Sequence, residues 1–213
     1  MNGTMAQEQV LDGRCCECCA TAAVRTSRGM LVAYRDRSAD EIRDIALVRH
    51  EDGRWTKPYL LHRDGWKIAG CPVNGPAMDA SGDQVVAAWF TAASETARVF
   101  AAFSKDGGGV FSKPIRIDGG NPIGRVGTTL LRDGSALVSW LETESGKTAI
   151  KVRHVTASGG LGSPKIVAIS SSVRASGFPQ IVRMEDDVWF AWTTPGAQPQ
   201  IKLAYASLRT LVR

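Results

Sequence analysis

A period of about fifty residues is the feature that most constrains what this chain can fold into. Four segments share one pattern: a turn, a short apolar run, then a small residue followed by an aromatic. They are Gly29–Tyr34, Gly82–Trp89, Gly134–Trp140 and Asp186–Trp192. The closing aromatics Tyr34, Trp89, Trp140 and Trp192 lie 55, 51 and 52 residues apart. A second landmark keeps the same register. Pro58, Pro114 and Pro164 follow their aromatics by 24, 25 and 24 residues, and each opens another short apolar segment. Proline suits the first residue of an outer strand, where its missing N–H costs no ladder bond. Between the landmarks lie alternating stretches such as RDIALVR, RVFAAFS, AIKVRHV and IKLAYAS.

Each repeat therefore reads as four short strands, A to D, with the aromatic on strand B packed between neighbouring sheets. Many short strands at even spacing predict an all-β fold, and the fifty-residue period favours a β-propeller-type array of about four four-stranded antiparallel blades. The blades are expected at about 19–63, 72–119, 125–170 and 176–213. The proline of the last repeat would fall beyond Arg213, so its strand D is expected to be missing or rudimentary. The EQVLDG run resembles the strand D run PIRIDG, so residues 7–13 read as an orphan strand D. That strand either completes the last blade, or the chain is the later part of a larger, six- or seven-bladed propeller. An uncovered blade edge invites self-association.

Composition narrows the partners. The formal net charge is +5 with a pI near 9.1, but the basic residues are scattered, which argues against nucleic acid. No apolar stretch approaches the ~20 residues a membrane span needs. The opening MNGTMAQEQV has neither a basic nor an apolar region of the signal-peptide kind.

Antiparallel geometry sorts the loops. The start of strand A, the end of B and the start of C share one face of each blade. Counting back fifteen from each aromatic reaches Cys19, Asn74, Arg125 and Gly177, with Arg174 just before the last; counting forward two reaches Asp36, Thr91, Glu142 and Thr194. Arg35, Arg37, Arg43 and Asp44 flank the same mouth. Arginines suit a carboxylate-bearing ligand, because guanidinium matches carboxylate in a bidentate way. The same residues also read as an ion-pair network tying strands B and C at a blade end, and as loop anchors.

Ser104, Asp106, Gly108 and Phe111 stand in the turn after strand C of the second repeat. That run resembles the Asp box of bacterial sialidases, S-x-D-x-G-x-x-W, with Phe111 in place of the tryptophan. HEDGRWTKP keeps Asp52, Gly53 and Trp55 of the same pattern. The chain is most similar to uncharacterised bacterial sialidase-like proteins of the neuraminidase-repeat kind, through LDGRCCECC, AYRDRSADEIRDI, DGWKIAGCPVNGP and VRASGFP. The resemblance implies a propeller, a structural role for the Asp box, and export to the periplasm or cell exterior. It implies a mouth that takes a carbohydrate or small acidic ligand, and exo-α-sialidase-type hydrolysis. By match to the A-D-x-R stretch of that family, Asp36 is the acid/base candidate; Glu142 is placed to assist a nucleophile. Arg35, Arg37, Asn74, Arg125 and Arg174 are ligand-binding candidates. The F-R-I-P motif of that family is absent, and no tyrosine can be placed beside Glu142. The alternative is a non-catalytic module that docks a protein at the same mouth.

Five cysteines complete the candidates: Cys15, Cys16, Cys18, Cys19 and Cys71. Cys19 and Cys71 both precede a strand A of adjacent repeats, so a disulfide between Cys71 and a member of the cluster would pin two blades together. A thiolate site for Zn or Cu(I) at Cys16, Cys18, Cys19 and Cys71 is the sharper reading, although C-C-x-C-C is not the usual zinc-site spacing. Free reduced thiols are the third. No other cofactor is expected.

Overall fold

The computed structural model describes residues 8–213. Four antiparallel sheets follow one another along the chain, one for each sequence repeat. The first contains β1 (Ala22–Thr26), β2 (Gly29–Arg35), β3 (Ile45–Glu51), β4 (Arg54–Trp55) and β5 (Tyr59–Leu60). The second contains β6 (Ala77–Ser81), β7 (Gln84–Thr91), β8 (Arg98–Ser104) and β9 (Ile115–Arg116). The third contains β10 (Pro122–Leu130), β11 (Ala136–Glu144), β12 (Lys147–Val155) and β13 (Lys165–Ser170). The fourth contains β14 (Gln180–Met184), β15 (Asp187–Thr194) and β16 (Gln200–Ser207), followed by a single helical turn, α1 (Leu208–Leu211). None of the helices among the described residues is long and apolar enough to cross a membrane.

The sheets hold five, four, four and three strands: β3 pairs with both two-residue strands β4 and β5, and the fourth sheet ends at β16, without the strand D that its repeat was expected to lack. One expectation needs correction. Of the expected orphan strand, residue 7 lies outside the described residues and residues 8–13 form no strand. Instead Leu11 packs on Tyr34, Ala46 and Val48, and the Tyr34 hydroxyl donates to Asp12 Oδ2 at 2.5 Å. A side-chain anchor replaces the expected ladder.

The repeat landmarks do what their chemistry dictates. Each landmark proline immediately precedes the outermost strand of its sheet, β5, β9 or β13. Trp89 packs between sheets one and two with Leu31, Leu47 and Val85. Trp140 packs between sheets two and three with Val86, Val99 and Phe103, and Trp192 packs between sheets three and four with Leu137, Val152 and Phe190. Each aromatic thus seals its own sheet against the preceding one. Tyr34 fills the equivalent place on the outer flank of sheet one, where Leu11 covers it.

The innermost strands β1, β6, β10 and β14 stand side by side. Residues 20–23, 75–78, 126–128 and 178–181, one group from each sheet, surround a cavity of about 310 Å³. A cavity lined by the first strand of every sheet is the axis of a propeller-type array.

Candidate functional site

Both the cysteine turn and Asp36 sit at the end of the cavity where the innermost strands begin. Cys16 N donates to Arg35 O at 2.9 Å, and Cys15 bridges Asp36, which brings the turn against the end of β2. Cys18 is disulfide-bonded to Cys71, ahead of sheet two, with the Cα atoms 6.0 Å apart. From the far side, Arg174 reaches Cys71 Sγ at 3.4 Å. The mouth therefore joins the first, second and fourth repeats.

Most of the sequence-predicted site residues hold this mouth together rather than facing into it. Arg35 is 1% exposed, and its guanidinium donates to the carbonyls of Asn74, Arg43 and Phe90 at 2.7, 2.5 and 2.7 Å. The ring of Trp66 lies 4.8 Å from it. Arg35 is therefore corrected from ligand contact to a clamp between sheets one and two. Asn74 is buried, donating to Pro72 O and Ile123 O while its Oδ1 accepts from Arg125 N at 2.7 Å. It joins sheets two and three and presents no free polar atom to a ligand.

Arg125 donates to Ser176 Oγ and to the carbonyls of Ser172, Val173 and Gly177. Burial, reinforced by nearby Arg174, lowers its pKa. It anchors the 172–177 loop, the second of the two roles its position suggested, and so presents Arg174. Arg174 is exposed and has no carboxylate partner among the described residues. Arg37 is half-exposed and forked onto Glu41, which Arg43 also contacts at 2.9 Å. Hydrogen bonds from Arg37 and Arg43 hold the Glu41 carboxyl at about 2.

The two carboxylates proposed for catalysis separate. Glu142 is buried and accepts from Lys151 Nζ at 2.9 Å, Gly119 N at 3.0 Å and Trp140 Nε1 at 2.7 Å. Burial alone would raise its pKa, but these three donors outweigh it and hold the carboxyl below its ordinary value. Glu142 is thus corrected from nucleophile partner to buried ion pair. Asp36 differs. No side-chain hydrogen bond engages its carboxylate among the described residues, and burial raises its pKa. The Arg37 backbone N–H opposes that rise, and Asp12 and Asp44 add to it. Asp44 itself is spent on the amides of Gly65 and Trp66.

The turn resembling an Asp box sits at the opposite end of its sheet. Ser104 Oγ donates to Asp106 Oδ1 at 2.6 Å, Asp106 Oδ1 accepts from Val110 N at 3.0 Å, and Gly108 N donates to Ser104 Oγ at 3.0 Å. The Ser104 hydroxyl and the turn amides lower the Asp106 pKa. Phe111 packs against the core between sheets one and two. A Cβ at Gly108 (φ +91°) would lie 2.5 Å from Leu31 Cδ2, so only glycine fits there. These groups close a turn; their hydrogen bonds leave no reacting centre.

Three features of the mouth escaped sequence reasoning: the Trp66 ring over Arg35, the Arg43 contact to Cys16 Sγ at 3.2 Å, and the Asp12–Tyr34 bond. Strand alternation carried the signal for Arg35 and Glu142. Arg35 follows Tyr34 and must face sheet two, whereas Glu142 lies two residues after Trp140 and shares its buried face.

No protein-family model matches the chain, and no curated protein matches it. Solved structures do. A thermostable family-43 glycoside hydrolase superposes with a TM-score of 0.54 at 15% identity, over 87% of this chain and 67% of that one. A xylan β-1,4-xylosidase from Bacillus halodurans gives 0.57 at 11% identity, over 95% and 41%. A Trypanosoma rangeli sialidase in complex with sialic acid gives 0.56 at 11% identity, over 88% and 36%. The chain thus spans between about a third and two thirds of these neighbours. At such identities the likeness is one of fold: the four-sheet array resembles the folds of these three proteins.

Proposed function

We propose that this protein is a glycoside-hydrolase-type propeller whose central mouth binds a carbohydrate or a small acidic ligand. The observation that carries the reading is the cleft lined by residues of all four innermost strands and the segments that lead into them. Exposed Arg174 stands at the same end, on a loop that Arg125 anchors. A cleft at the axis is where such a scaffold can surround a small ligand, and a guanidinium at its rim favours a carboxylate. The neighbours named for glycosidase and sialidase activity support a sugar as the ligand class.

Binding without hydrolysis is the form the side chains favour. Retaining and inverting glycosidases both need two carboxyl groups flanking the scissile bond. Glu142 is locked by three donors, which leaves Asp36 as the one acid of the predicted pair with a raised pKa and a carboxylate that no side chain engages among the described residues. Calorimetric titration with N-acetylneuraminic acid and with xylose tests the reading. We expect binding of the acidic sugar, weakened roughly tenfold or more by Arg174→Ala. A fluorogenic sialoside and xyloside panel tests hydrolysis: turnover abolished by Asp36→Asn would make the protein an enzyme. Failure to bind any sugar, with no turnover, would favour the protein-docking module.

A further inference from the structure

Cys16, Cys18 and Cys19 project from one tight turn with all three sulfurs within 4.8 Å of one another. The separations are 3.5 Å for Cys16–Cys18, 3.2 Å for Cys16–Cys19 and 3.9 Å for Cys18–Cys19. Cys71 supplies a fourth sulfur through its bond to Cys18. The run of cysteines lacks paired metal-site spacing, yet the loop ahead of sheet two delivers the missing ligand in space. Cys15 stays outside the group and bridges Asp36 instead.

Guanidinium groups touch two of these sulfurs. Arg43, 3% exposed, donates Nη1 to Cys16 Sγ at 3.2 Å and Nη2 to Glu41 at 2.9 Å, while its Nε has no partner among the described residues. Arg174 donates to Cys71 Sγ. Arg35 is buried against three carbonyl oxygens and the Trp66 ring, and no carboxylate touches it. A buried guanidinium is costly unless a negative group lies beside it. A metal–thiolate group carries that negative charge, and N–H···S bonds are how neighbouring residues orient and stabilise thiolate ligands.

We propose that Cys16, Cys18, Cys19 and Cys71 form a site for a soft closed-shell cation, Zn(II) or Cu(I), which opens when a dithiol reduces the Cys18–Cys71 bond. The dithiol gives two electrons and two protons to the disulfide and leaves as its own cyclic disulfide. The cation then displaces one thiol proton into solvent for each thiolate it binds and keeps its oxidation state. In the oxidised form the same sulfurs fasten the turn to sheet two. The site lies on the mouth's rim and does not depend on the sugar reading.

The test uses the full chain, reduced with excess dithiol and desalted without oxygen. One arm titrates Zn(II) against a chromophoric chelator; the other titrates Cu(I) against a Cu(I)-specific one. We expect one ion per chain, with the tighter arm identifying the metal. The ion should protect four of the five thiols from alkylation. Cys16→Ser, Cys19→Ser and Cys71→Ser should each weaken binding at least about tenfold, and Arg43→Met by about tenfold. Cys15→Ser should leave it unchanged. Co(II) loading of the wild type gives a thiolate charge-transfer absorption that needs no variant, so misfolding of a cysteine variant cannot hide the answer. Five equally reactive thiols in the presence of either metal, with no Co(II) charge-transfer band, would overturn the proposal. Sugar titration on the same preparations keeps the two readings apart: metal retained without sugar binding sinks only the carbohydrate reading, and the reverse sinks only this one.

Discussion

At the scale of single residues, charge at the mouth is spent mainly on structure. Glu142 and Lys151 form a buried pair at 2.9 Å, with Gly119 N and Trp140 Nε1 occupying the remaining carboxylate positions. Removing Lys151 leaves Glu142 charged and without a cation away from water, whereas removing Glu142 leaves Lys151 its second partner, Glu144, at 2.9 Å. Lys151→Met should therefore cost about 3–5 kcal/mol of unfolding free energy, read from urea denaturation. Replacing both members with apolar residues of similar volume should cost much less. The acid limb of stability follows from the same contacts. Glu142 and Asp106 are held below their ordinary values of 4.5 and 3.8 in the folded chain. The unfolded chain binds more protons in this range, so their contribution is complete above those values and is lost as pH falls through the folded ones. Denaturation midpoints measured from about pH 6 to about pH 3 should fall with acid, and less steeply in Asp106→Asn. A midpoint that stayed level in the wild type would contradict the assignment. Position along the strand was legible for Arg35, Arg125 and Glu142, because the aromatics fix the count. Burial could be read from alternation for Arg35 and Glu142, but not for Arg125, where the pairing of β10 shifts register on both sides of Gly124.

At the scale of elements, the repeat was readable because two residue types have few places to go. The recurring strand B aromatic is too large and apolar to be left in water, and a proline opens a strand rather than sitting inside one, as Pro58, Pro114 and Pro164 do on the outer strands and Pro122 does on β10. Trp140 shows the first rule: it is 1% exposed and is packed by residues of two sheets. Trp140→Ala should lose about 3–5 kcal/mol, whereas Pro164→Ala should change stability by less than about 1 kcal/mol, since it interrupts no ladder bond. Gly124 tests the joints between elements. Its φ is +91°, and a Cβ there would lie 2.3 Å from Asn74 Oδ1 and 2.8 Å from the Phe90 ring. Gly124→Ala should therefore break the Asn74 link between sheets two and three and destabilise by about 1–3 kcal/mol, measured by thermal melting. The 8–13 segment was misread for a related reason. Its likeness to PIRIDG is real, but a strand needs an edge within reach, and Tyr34 offered it a hydroxyl and an apolar face instead.

At the scale of the molecule, each of the first three sheets relies on its successor to cover one face, and the fourth has no successor among the described residues. Leu203 on β16 occupies the place held by Leu47, Ala101 and Val152 in the first three sheets. Those three are 0%, 0% and 1% exposed, while Leu203 is 59% exposed. Val182, Met184, Ile201 and Tyr205 are exposed on the same sheet, and Trp189 stacks on Tyr205 at 4.8 Å. The pattern that seals three interfaces is thus repeated in the fourth sheet, where no further sheet covers it among the described residues. Apolar area left in water favours association, and the unpaired edge of the eight-residue strand β16 adds backbone groups that can extend a sheet. The two roles separate by substitution. Leu203→Lys should change unfolding free energy by no more than about 0.5 kcal/mol, because the side chain is already in water. Val152→Lys, at the equivalent place in sheet three, should destabilise by several kcal/mol by burying an unpaired charge, a loss on the order of the chain's whole stability. Sedimentation across a concentration series should show the wild type associating and Leu203→Lys shifted toward monomer. If Leu203→Lys unfolds the chain as Val152→Lys does, the face is covered in solution and the fourth sheet has a partner within the folded unit. If both proteins stay monomeric at every concentration, stacking of Trp189 on Tyr205 is cover enough.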